Sequence, residues 1–113
     1  MTKRNKHGAI KTTLDNIKFD SKKEALQYLA FRDARNKGEI TDLICHPTFQ
    51  IEFLGVKICK VELDFMYRDK LGVLHHVDVK GFDKKTKKFR VTNESRIKKK
   101  LVEAQYNITV EYI

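Results

Sequence analysis

Apolar and polar residues alternate in several short stretches of the chain, with the period of two that is typical of β-strands. The clearest stretch is 49–53, in which every second residue is apolar. The longest is 56–67, whose apolar face ends in Leu63, Phe65 and Tyr67. The pattern predicts strands at 11–14, 17–19, 40–43, 49–53, 56–67, 73–80 and 108–112.

Two other segments carry the signals of helix ends. Ser21, followed three residues later by Glu24, matches a capping box, in which both side chains satisfy free backbone N–H groups. Gly38 is a typical residue to end this helix, because glycine readily adopts a left-handed conformation. A second helix is predicted over 92–106, and Asn107 is expected to end it. The predicted inner face of the second helix consists of Ile97, Leu101 and Ala104.

The order of these elements predicts the fold class. Asp15 and Asn16 lie between the first two strands and suit a two-residue hairpin turn with positive φ angles. After this β-hairpin the order is helix, strands, helix, strand, which predicts an α+β fold: an α/β sandwich in which helices flank a mixed central β-sheet. Residues 1–10 are polar and basic and are predicted to form a mobile arm, and residues 11–113 are predicted to form a single domain.

Composition narrows the class of protein. With 113 residues, of which 41% are apolar, the chain can bury a hydrophobic core without a disulfide or a structural metal. No apolar run approaches the ~18 residues of a membrane span. No secretion-signal pattern is present either, so the cytoplasm is the expected location. Cys45 and Cys59 lie in apolar, strand-like surroundings and have no second pair to complete a zinc site, so we expect two reduced thiols.

The charge of the chain indicates a polyanionic partner. The sequence has 24 basic and 15 acidic residues and a formal net charge of +9, which favours nucleic acid over a membrane. The basic residues form one cluster in the N-terminal arm and another in the loop after the strand at 73–80, continuing into the second helix. The residues predicted to contact the phosphate backbone of DNA are Lys3, Arg4, Lys6, Lys84, Lys85, Lys87, Lys88, Arg90 and Lys98.

Two aspartates interrupt strands that are otherwise apolar. Because side chains at positions i and i+2 share one face of a strand, Asp78 and Lys80 are predicted to point the same way. Val77 and Val79 then point the other way, into the core. Asp64 lies in the preceding strand, and pairing of the two strands through a short turn would bring its carboxylate close to that of Asp78.

This arrangement suits a magnesium ion. The carboxylates of Asp64 and Asp78 are the hard oxygen ligands that Mg²⁺ prefers, and the backbone carbonyl of Val79 is a third candidate ligand. A bound metal polarises a phosphate oxygen and lowers the pKa of a water molecule. Lys80 is predicted to orient that water or to neutralise charge in the transition state. The sequence therefore predicts a metal-dependent hydrolytic site.

The residues of this site resemble a known signature. Asp64 followed by Asp78-Val79-Lys80 is similar to the PD-(D/E)XK motif of the restriction-endonuclease-like superfamily, although Leu63 stands where the motif's name has proline. Within that superfamily, the chain resembles a family of small phage-encoded proteins, with a layout similar to phage endonuclease I and archaeal Holliday-junction resolvases. The resembling stretches are 17–25, 38–40, 77–81 and 98–101.

The resemblance implies a restriction-endonuclease-like fold and a Mg²⁺-dependent endonuclease that hydrolyses DNA phosphodiester bonds. Branched or Holliday-junction DNA in phage recombination or replication is the implied substrate, with Mn²⁺ able to replace Mg²⁺. A homodimer is implied, and we expect neither a small-molecule cofactor nor a membrane partner. A glutamate of the first helix reaches the metal in the similar proteins, and Glu24 is at the matching position. The implied catalytic residues are Asp64, Asp78, Lys80 and Glu24, and the implied metal ligands are Asp64, Asp78, Val79 and Glu24.

Other interpretations of these residues remain open. The capping box explains Glu24 without catalysis. Adjacent residues of a strand point to opposite faces, so His75 and His76 cannot chelate one ion together, and His76 is expected at the sheet surface, in contact with water or DNA. Two other functions are compatible with the charge: a nucleic-acid-binding module without turnover, and a phage protein that engages a host nucleic-acid complex. The complete catalytic set argues against both.

Overall fold

In the computed structural model, the described part of the chain comprises residues 3–4 and 10–113, with side chains described from residue 11 onward. It contains eleven strands and two helices, and their mixture confirms the α+β class predicted from the sequence. The chain divides into two units, residues 1–40 and residues 41–113. Neither helix in the described part is long and apolar enough to cross a membrane.

The N-terminal unit contains three antiparallel strands and one helix. β1 is Lys3–Arg4, β2 is Ile10–Leu14, β3 is Ile17–Phe19 and α1 is Lys22–Asn36. β2 pairs with both β1 and β3. The hairpin turn predicted between β2 and β3 is confirmed, because Asp15 and Asn16 have positive φ angles of 50° and 63°.

Helix α1 begins and ends with the predicted signals. The Glu24 N–H donates to Oγ of Ser21 at 3.1 Å, and Oε2 of Glu24 accepts a hydrogen bond from the Asp20 N–H at 3.3 Å. These two bonds satisfy donors at the start of the helix that have no partner within it. The helix ends at Asn36, and Gly38 follows in the left-handed region with a φ of 76°, as expected.

A buried aromatic pair joins the hairpin to α1 within the N-terminal unit. Phe19 is fully buried, and its ring centre lies 5.0 Å from that of Tyr28. The Tyr28 hydroxyl donates to Oδ2 of Asp15 at 2.7 Å, and Arg32 donates to the same oxygen at 2.8 Å. These two donors hold the pKa of Asp15 below its ordinary value. The hairpin turn is therefore fixed to the middle of the helix.

The C-terminal unit contains one helix and the remaining strands. These elements are β4 Thr41–Cys45, β5 Thr48–Phe53, β6 Val56–Glu62, β7 Phe65–Arg68, β8 Leu74–Asp78, β9 Phe82–Asp83, β10 Lys88–Phe89, α2 Asn93–Tyr106 and β11 Val110–Tyr112. Four strands form the predicted mixed sheet in the order β11–β8–β7–β4, with β11 parallel to β8 and the other pairs antiparallel. β5 pairs with β6, and β9 pairs with β10, in two-stranded ribbons.

The single long strand predicted over 56–67 is wrong. β6 pairs with β5, whereas β7 belongs to the four-stranded sheet. The chain changes partner between them: the Leu63 N–H donates to the Pro47 carbonyl at 3.0 Å, and the Asp64 N–H donates to the Val77 carbonyl at 3.2 Å. Burial keeps alternating through the connection, with Leu63 buried and Asp64 half-buried, so the hydrophobic pattern shows no break.

Helix α2 covers the core of the C-terminal unit. The buried residues of this core are Ile51, Val61, Leu63, Val102 and Val110. The inner face predicted for α2 is partly wrong, because Leu101 is only partly buried against the core, Ala104 is exposed, and Ile97 is 58% exposed. The fully buried residue is Val102, and Lys99, three residues earlier on the same stripe, is half-buried. A lysine can occupy such a position because its aliphatic stem packs while its ammonium stays in water.

Both cysteines lie in the C-terminal unit, and neither forms a disulfide. Cys45 is in β4 and Cys59 is in β6, and both are half-buried. The expectation of two reduced thiols stays a prediction.

Candidate functional site

The pairing of β7 with β8 brings Asp64 and Asp78 together. Phe65, the first residue of β7, lies opposite Val77, so the residues on either side of this pair become neighbours. The Asp64 N–H donates to Oδ1 of Asp78 at 3.1 Å, and the Val79 N–H donates to Oδ2 of Asp64 at 2.7 Å. The carboxylate of each aspartate is therefore held by a backbone N–H group of the neighbouring strand segment.

Asp78 lies in surroundings that oppose its ionisation. Only 15% of its side chain is exposed, and burial raises the pKa of its carboxyl group. The Lys80 ammonium and the Asp64 N–H lower that pKa without cancelling the effect of burial. Nζ of Lys80 lies 3.7 Å from Oδ2 of Asp78, which is a long ion pair. A further positive charge at this point would stabilise the ionised carboxylate.

Lys80 is positioned by contacts with α2 and with the end of β11. Its backbone N–H donates to the Ile113 carbonyl at 3.0 Å, just after β11. Its Nζ donates to Oγ of Ser95 in α2 at 3.3 Å and lies 5.9 Å from the centre of the Tyr112 ring. Neither Ser95 nor Tyr112 could be predicted as a site residue from the sequence, because their approach to Lys80 depends on tertiary packing.

His46 is a further candidate metal ligand, and it could not be identified from the sequence. Its N–H donates to the Asp64 carbonyl at 2.9 Å, and one of its ring nitrogens lies within 4.8 Å of an Asp64 carboxylate oxygen. Neutral imidazole nitrogens are common metal ligands, so His46 adds a donor atom beside Asp64. The local signal is its position before Pro47 between β4 and β5, where its φ of 55° marks an irregular turn.

Val79 and Glu24, the other predicted ligands, both have structural roles. The Val79 N–H is bonded to Asp64, and coordination of a metal by its carbonyl stays a prediction. Glu24 belongs to the N-terminal unit, where it is 3% exposed and caps α1 through the Asp20 N–H. The capping role is present, and the metal-binding role stays a prediction.

The two adjacent histidines have different surroundings. His76 is 5% exposed and its ring centre lies 6.0 Å from that of Phe49, so the expectation that it lies at the sheet surface is wrong. Burial lowers its pKa. His75 is hydrogen-bonded at Nε2 to Asp69 at 2.8 Å and at Nδ1 to Glu111 at 2.9 Å. Neither histidine contributes to the pair formed by the two carboxylates.

The basic residues predicted to contact DNA differ in their surroundings. The exposed or largely exposed ones on the β9–β10 ribbon and directly after it are Lys84, Lys85, Lys87, Lys88 and Arg90. Lys98 instead forms an ion pair with Glu94 at 2.8 Å along α2, so part of its charge is neutralised within the protein. Residue 6 and the side chains of Lys3 and Arg4 lie outside the described residues, so these three predicted contacts stay predictions.

The donor atoms of this site fit a small, hard cation. Asp64 and Asp78 supply carboxylate oxygens, the ligands that Mg²⁺ prefers, and a divalent cation would offset the cost of burying Asp78 as an anion. The ammonium group of Lys80 lies beside them. The site can therefore bind a cation and an anionic group of a ligand at the same point.

Together, the fold and the site define an α+β protein with two carboxylates and an ammonium group at one end of a mixed sheet. The chain belongs to a family described as a protein of unknown function (DUF1064), whose profile matches residues 4–113. No curated protein and no solved structure matches the chain. The family match includes Asp64, Asp78 and Lys80 but carries no activity with it.

Proposed function

We propose that this protein is a Mg²⁺-dependent endonuclease that hydrolyses phosphodiester bonds in DNA. The observation that carries the proposal is the juxtaposition of Asp64, Asp78 and Lys80, with both carboxylates held by backbone N–H groups. The resemblance of these residues to the PD-(D/E)XK motif agrees with this chemistry. The net charge of +9 supports a polyanionic substrate.

Asp64 and Asp78 would hold the metal ion, and the Val79 carbonyl, His46 and Glu24 are proposed as further ligands. When bound, Mg²⁺ or Mn²⁺ supplies electrophilic assistance at a phosphate oxygen and lowers the pKa of a water molecule. The two backbone N–H bonds fix the carboxylate orientations before any metal binds, which reduces the reorganisation that binding requires.

Lys80 contributes a fixed positive charge next to the reacting phosphate. In hydrolysis a water oxygen forms a bond to phosphorus, and the bond from phosphorus to the leaving oxygen breaks. Negative charge then increases on the phosphate oxygens, and an oriented ammonium group stabilises it. The bond to Ser95 and the Tyr112 ring hold Nζ in place, so little orientational freedom is lost when substrate binds.

Branched DNA is the proposed substrate, and a homodimer is the proposed active form. Both proposals derive from the resemblance to junction resolvases. A two-fold symmetric dimer presents the same site twice, which matches the two equivalent strands that must be cut to resolve a four-way junction.

Cleavage of supercoiled plasmid and of a synthetic four-way junction tests the proposed activity. We expect cleavage with Mg²⁺ or Mn²⁺ and none with EDTA. Asp78→Asn and Lys80→Met should each lower the cleavage rate by about 100-fold or more, because each removes charge at the reacting phosphate. Lys60→Met is the matched control, since Lys60 is exposed on β6, and it should retain activity.

Cleavage that survives both substitutions would reject the assignment of the site. Binding of both DNAs without any cleavage in Mg²⁺ or Mn²⁺ would instead favour a nucleic-acid-binding module without turnover. Circular dichroism spectra of the variants establish that each is folded, so a lost rate reports on chemistry.

A further inference from the structure

A cleft with predominantly basic walls lies between α2 and the β9–β10 ribbon. Its volume is about 490 Å³. The basic residues that line it are Lys87, Lys88, Arg96, Lys99 and Lys100. Three of them belong to α2, and none of those three was among the residues predicted to contact DNA.

The positive charge of this cleft is largely uncompensated. Glu103, its acidic residue, is paired with Lys99 at 3.1 Å and also accepts a hydrogen bond from the Val110 N–H at 2.9 Å. Burial raises the pKa of Glu103, but the bonds from Val110 and Lys99 outweigh it and the net shift is downward, so this carboxylate is an ionised partner of Lys99. In the part of the chain that the structure describes, the four other basic residues form no ion pair.

Tyr112 connects the cleft to the candidate site. It lines the cleft and lies opposite Asp78 in the parallel pairing of β11 with β8. Its ring centre is 5.4 Å from Nζ of Lys99 and 5.9 Å from Nζ of Lys80. An anionic chain that follows the cleft towards Tyr112 therefore arrives at Lys80 and the two carboxylates.

The aromatic residues of the cleft suit a nucleotide as well as a phosphate. The rings of Phe89 and Tyr112 both line it, with centres 6.0 Å apart and planes inclined by 60°. Nucleobases and sugars pack against such rings without regard to sequence. A cavity of about 490 Å³ has the size of sites for small ligands, so it can accept part of one strand but not a double helix.

We propose that this cleft binds the phosphate groups of one polynucleotide strand and leads that strand to Asp64, Asp78 and Lys80. This inference rests on the proposed nuclease function and specifies the form in which the substrate binds there. Lys87, Lys88, Arg96 and Lys100 contact the phosphates, Lys99 is held by Glu103, and the aromatic rings contact sugar or base. The strand in the cleft is unpaired, as it is at a branch point, a flap or a loop.

Binding of a fluorescently labelled single-stranded oligonucleotide, measured by anisotropy in EDTA over a range of salt concentrations, tests the cleft without requiring cleavage. The cleft variant is Arg96→Gln/Lys100→Gln, and the control is Lys57→Gln/Lys60→Gln, which removes the same charge from exposed positions of β6. Because the cleft variant neutralises two fewer phosphates, its slope of log K against log salt should become shallower by about 1.4. Its affinity should fall about tenfold or more relative to the control.

Equal slopes and affinities for the two double variants would overturn the proposal. The proposal would also be overturned if the cleft variant bound duplex DNA of the same sequence more weakly than the control but bound the single strand equally well. Both changed positions are exposed, so the variant should keep the thermal unfolding midpoint of the wild type. Lys88→Gln, on the opposite wall, should reproduce about half of the change in slope.

The outcomes for the cleft and for the proposed activity are separable. If the wild type binds the strand through the cleft but never cleaves it, the proposed activity fails and the cleft assignment stands. If cleavage occurs and the cleft variant binds and cuts like the control, the nuclease stands and the cleft assignment fails.

Discussion

His75 is bonded to a carboxylate at each of its two ring nitrogens, and carboxylates accept hydrogen bonds but do not donate them when ionised. When both carboxylates are ionised, these two bonds require a proton on each ring nitrogen, which favours the charged imidazolium form of His75. The hydrogen bonds that it donates to Asp69 and to Glu111 raise its pKa above the ordinary value of 6.5. Its ring also stacks on Tyr67, with centres 4.9 Å apart. These contacts link β7, β8 and β11 on one face of the sheet.

The charge of His75 makes the stability of the fold depend on pH. Because its pKa is raised in the folded protein, the stabilisation is fully present below pH 6.5 and is lost as the pH rises through the raised value. We expect this group to contribute ~1 kcal/mol less to the free energy of unfolding at about pH 9 than at about pH 6. Urea denaturation across this range measures the change.

His75→Gln should remove most of this pH dependence, since glutamine does not titrate. Lys70→Gln, an exposed substitution in the neighbouring turn, is the control and should keep the wild-type profile. Parallel pH profiles for His75→Gln and the wild type would show that the histidine is not the group responsible.

The orientation of a site residue could be predicted from the sequence where it depends on a single strand. The period of two places Asp78 and Lys80 on one face, and the structure has them 3.7 Å apart, because the backbone stays extended and bonds to β11 as far as Lys80. Burial of His76 could not be predicted in this way. It depends on Phe49, which belongs to a strand of a different sheet.

Element ends were the part of the structure that the sequence predicted best. The capping box of α1, the turn at Asp15 and Asn16, and the end of α2 at Asn107 each depend on residues a few positions apart. The strand predicted at 56–67 failed because a change of partner sheet leaves the alternation of side chains intact. A local sequence pattern therefore predicts the end of an element only when nearby residues, such as a cap or a turn, cause that end.

The end of α2 provides a test at the scale of one element. Asn107 adopts the left-handed conformation with a φ of 53°, and its N–H donates to the Glu103 carbonyl. Alanine is strained in that conformation, so Asn107→Ala should destabilise the protein by ~1 kcal/mol. Glycine adopts it without strain, so Asn107→Gly should change the free energy of unfolding by only about a few tenths of a kcal/mol.

Chemical denaturation of both variants measures this difference. Ala104→Gly is the control. Ala104 is at an exposed helical position, where alanine should give a more stable protein than glycine, the reverse of the order expected at Asn107. If Asn107→Gly were as destabilising as Asn107→Ala, the amide side chain rather than the backbone conformation would be responsible.

For the molecule as a whole, the order of elements sufficed to predict the α+β class and the mixed sheet. It did not show how the strands divide among sheets, because the side-chain pattern of a strand such as β5 or β7 does not specify which strand it pairs with. Nor did it show the cleft, since one wall of the cleft comes from α2 and the others come from β10 with its flanking residues and from β11. Both features arise from contacts between residues that are distant in sequence.

Metal binding at the candidate site should change the stability of the whole molecule. A ligand that binds only the folded state stabilises it, and Mg²⁺ at about ten times its dissociation constant would contribute ~1.4 kcal/mol. For a chain of this length, that corresponds to a rise of about 4 °C or more in the thermal unfolding midpoint. Differential scanning fluorimetry with increasing Mg²⁺ measures the shift.

Asp78→Asn should abolish this Mg²⁺-dependent shift. It should also raise the thermal unfolding midpoint of the metal-free protein, because it removes a buried carboxylate whose environment opposes ionisation. Asp33→Asn, which changes an exposed aspartate, should leave the Mg²⁺ response intact. An equal Mg²⁺ response in Asp78→Asn would place the metal elsewhere.

The parallel pairing of β11 with β8 also has a consequence for the order of folding. Ile113 bonds to the Asp78 carbonyl through its N–H and to the Lys80 N–H through its carbonyl, although these residues are far apart in sequence. Such a contact closes a long loop and forms late, because the entropy of closure is lost before the contact stabilises the chain. A folding intermediate that lacks β11 would contain both aspartates but would hold Lys80 without its backbone partner, so the candidate site should be complete only after β11 has paired.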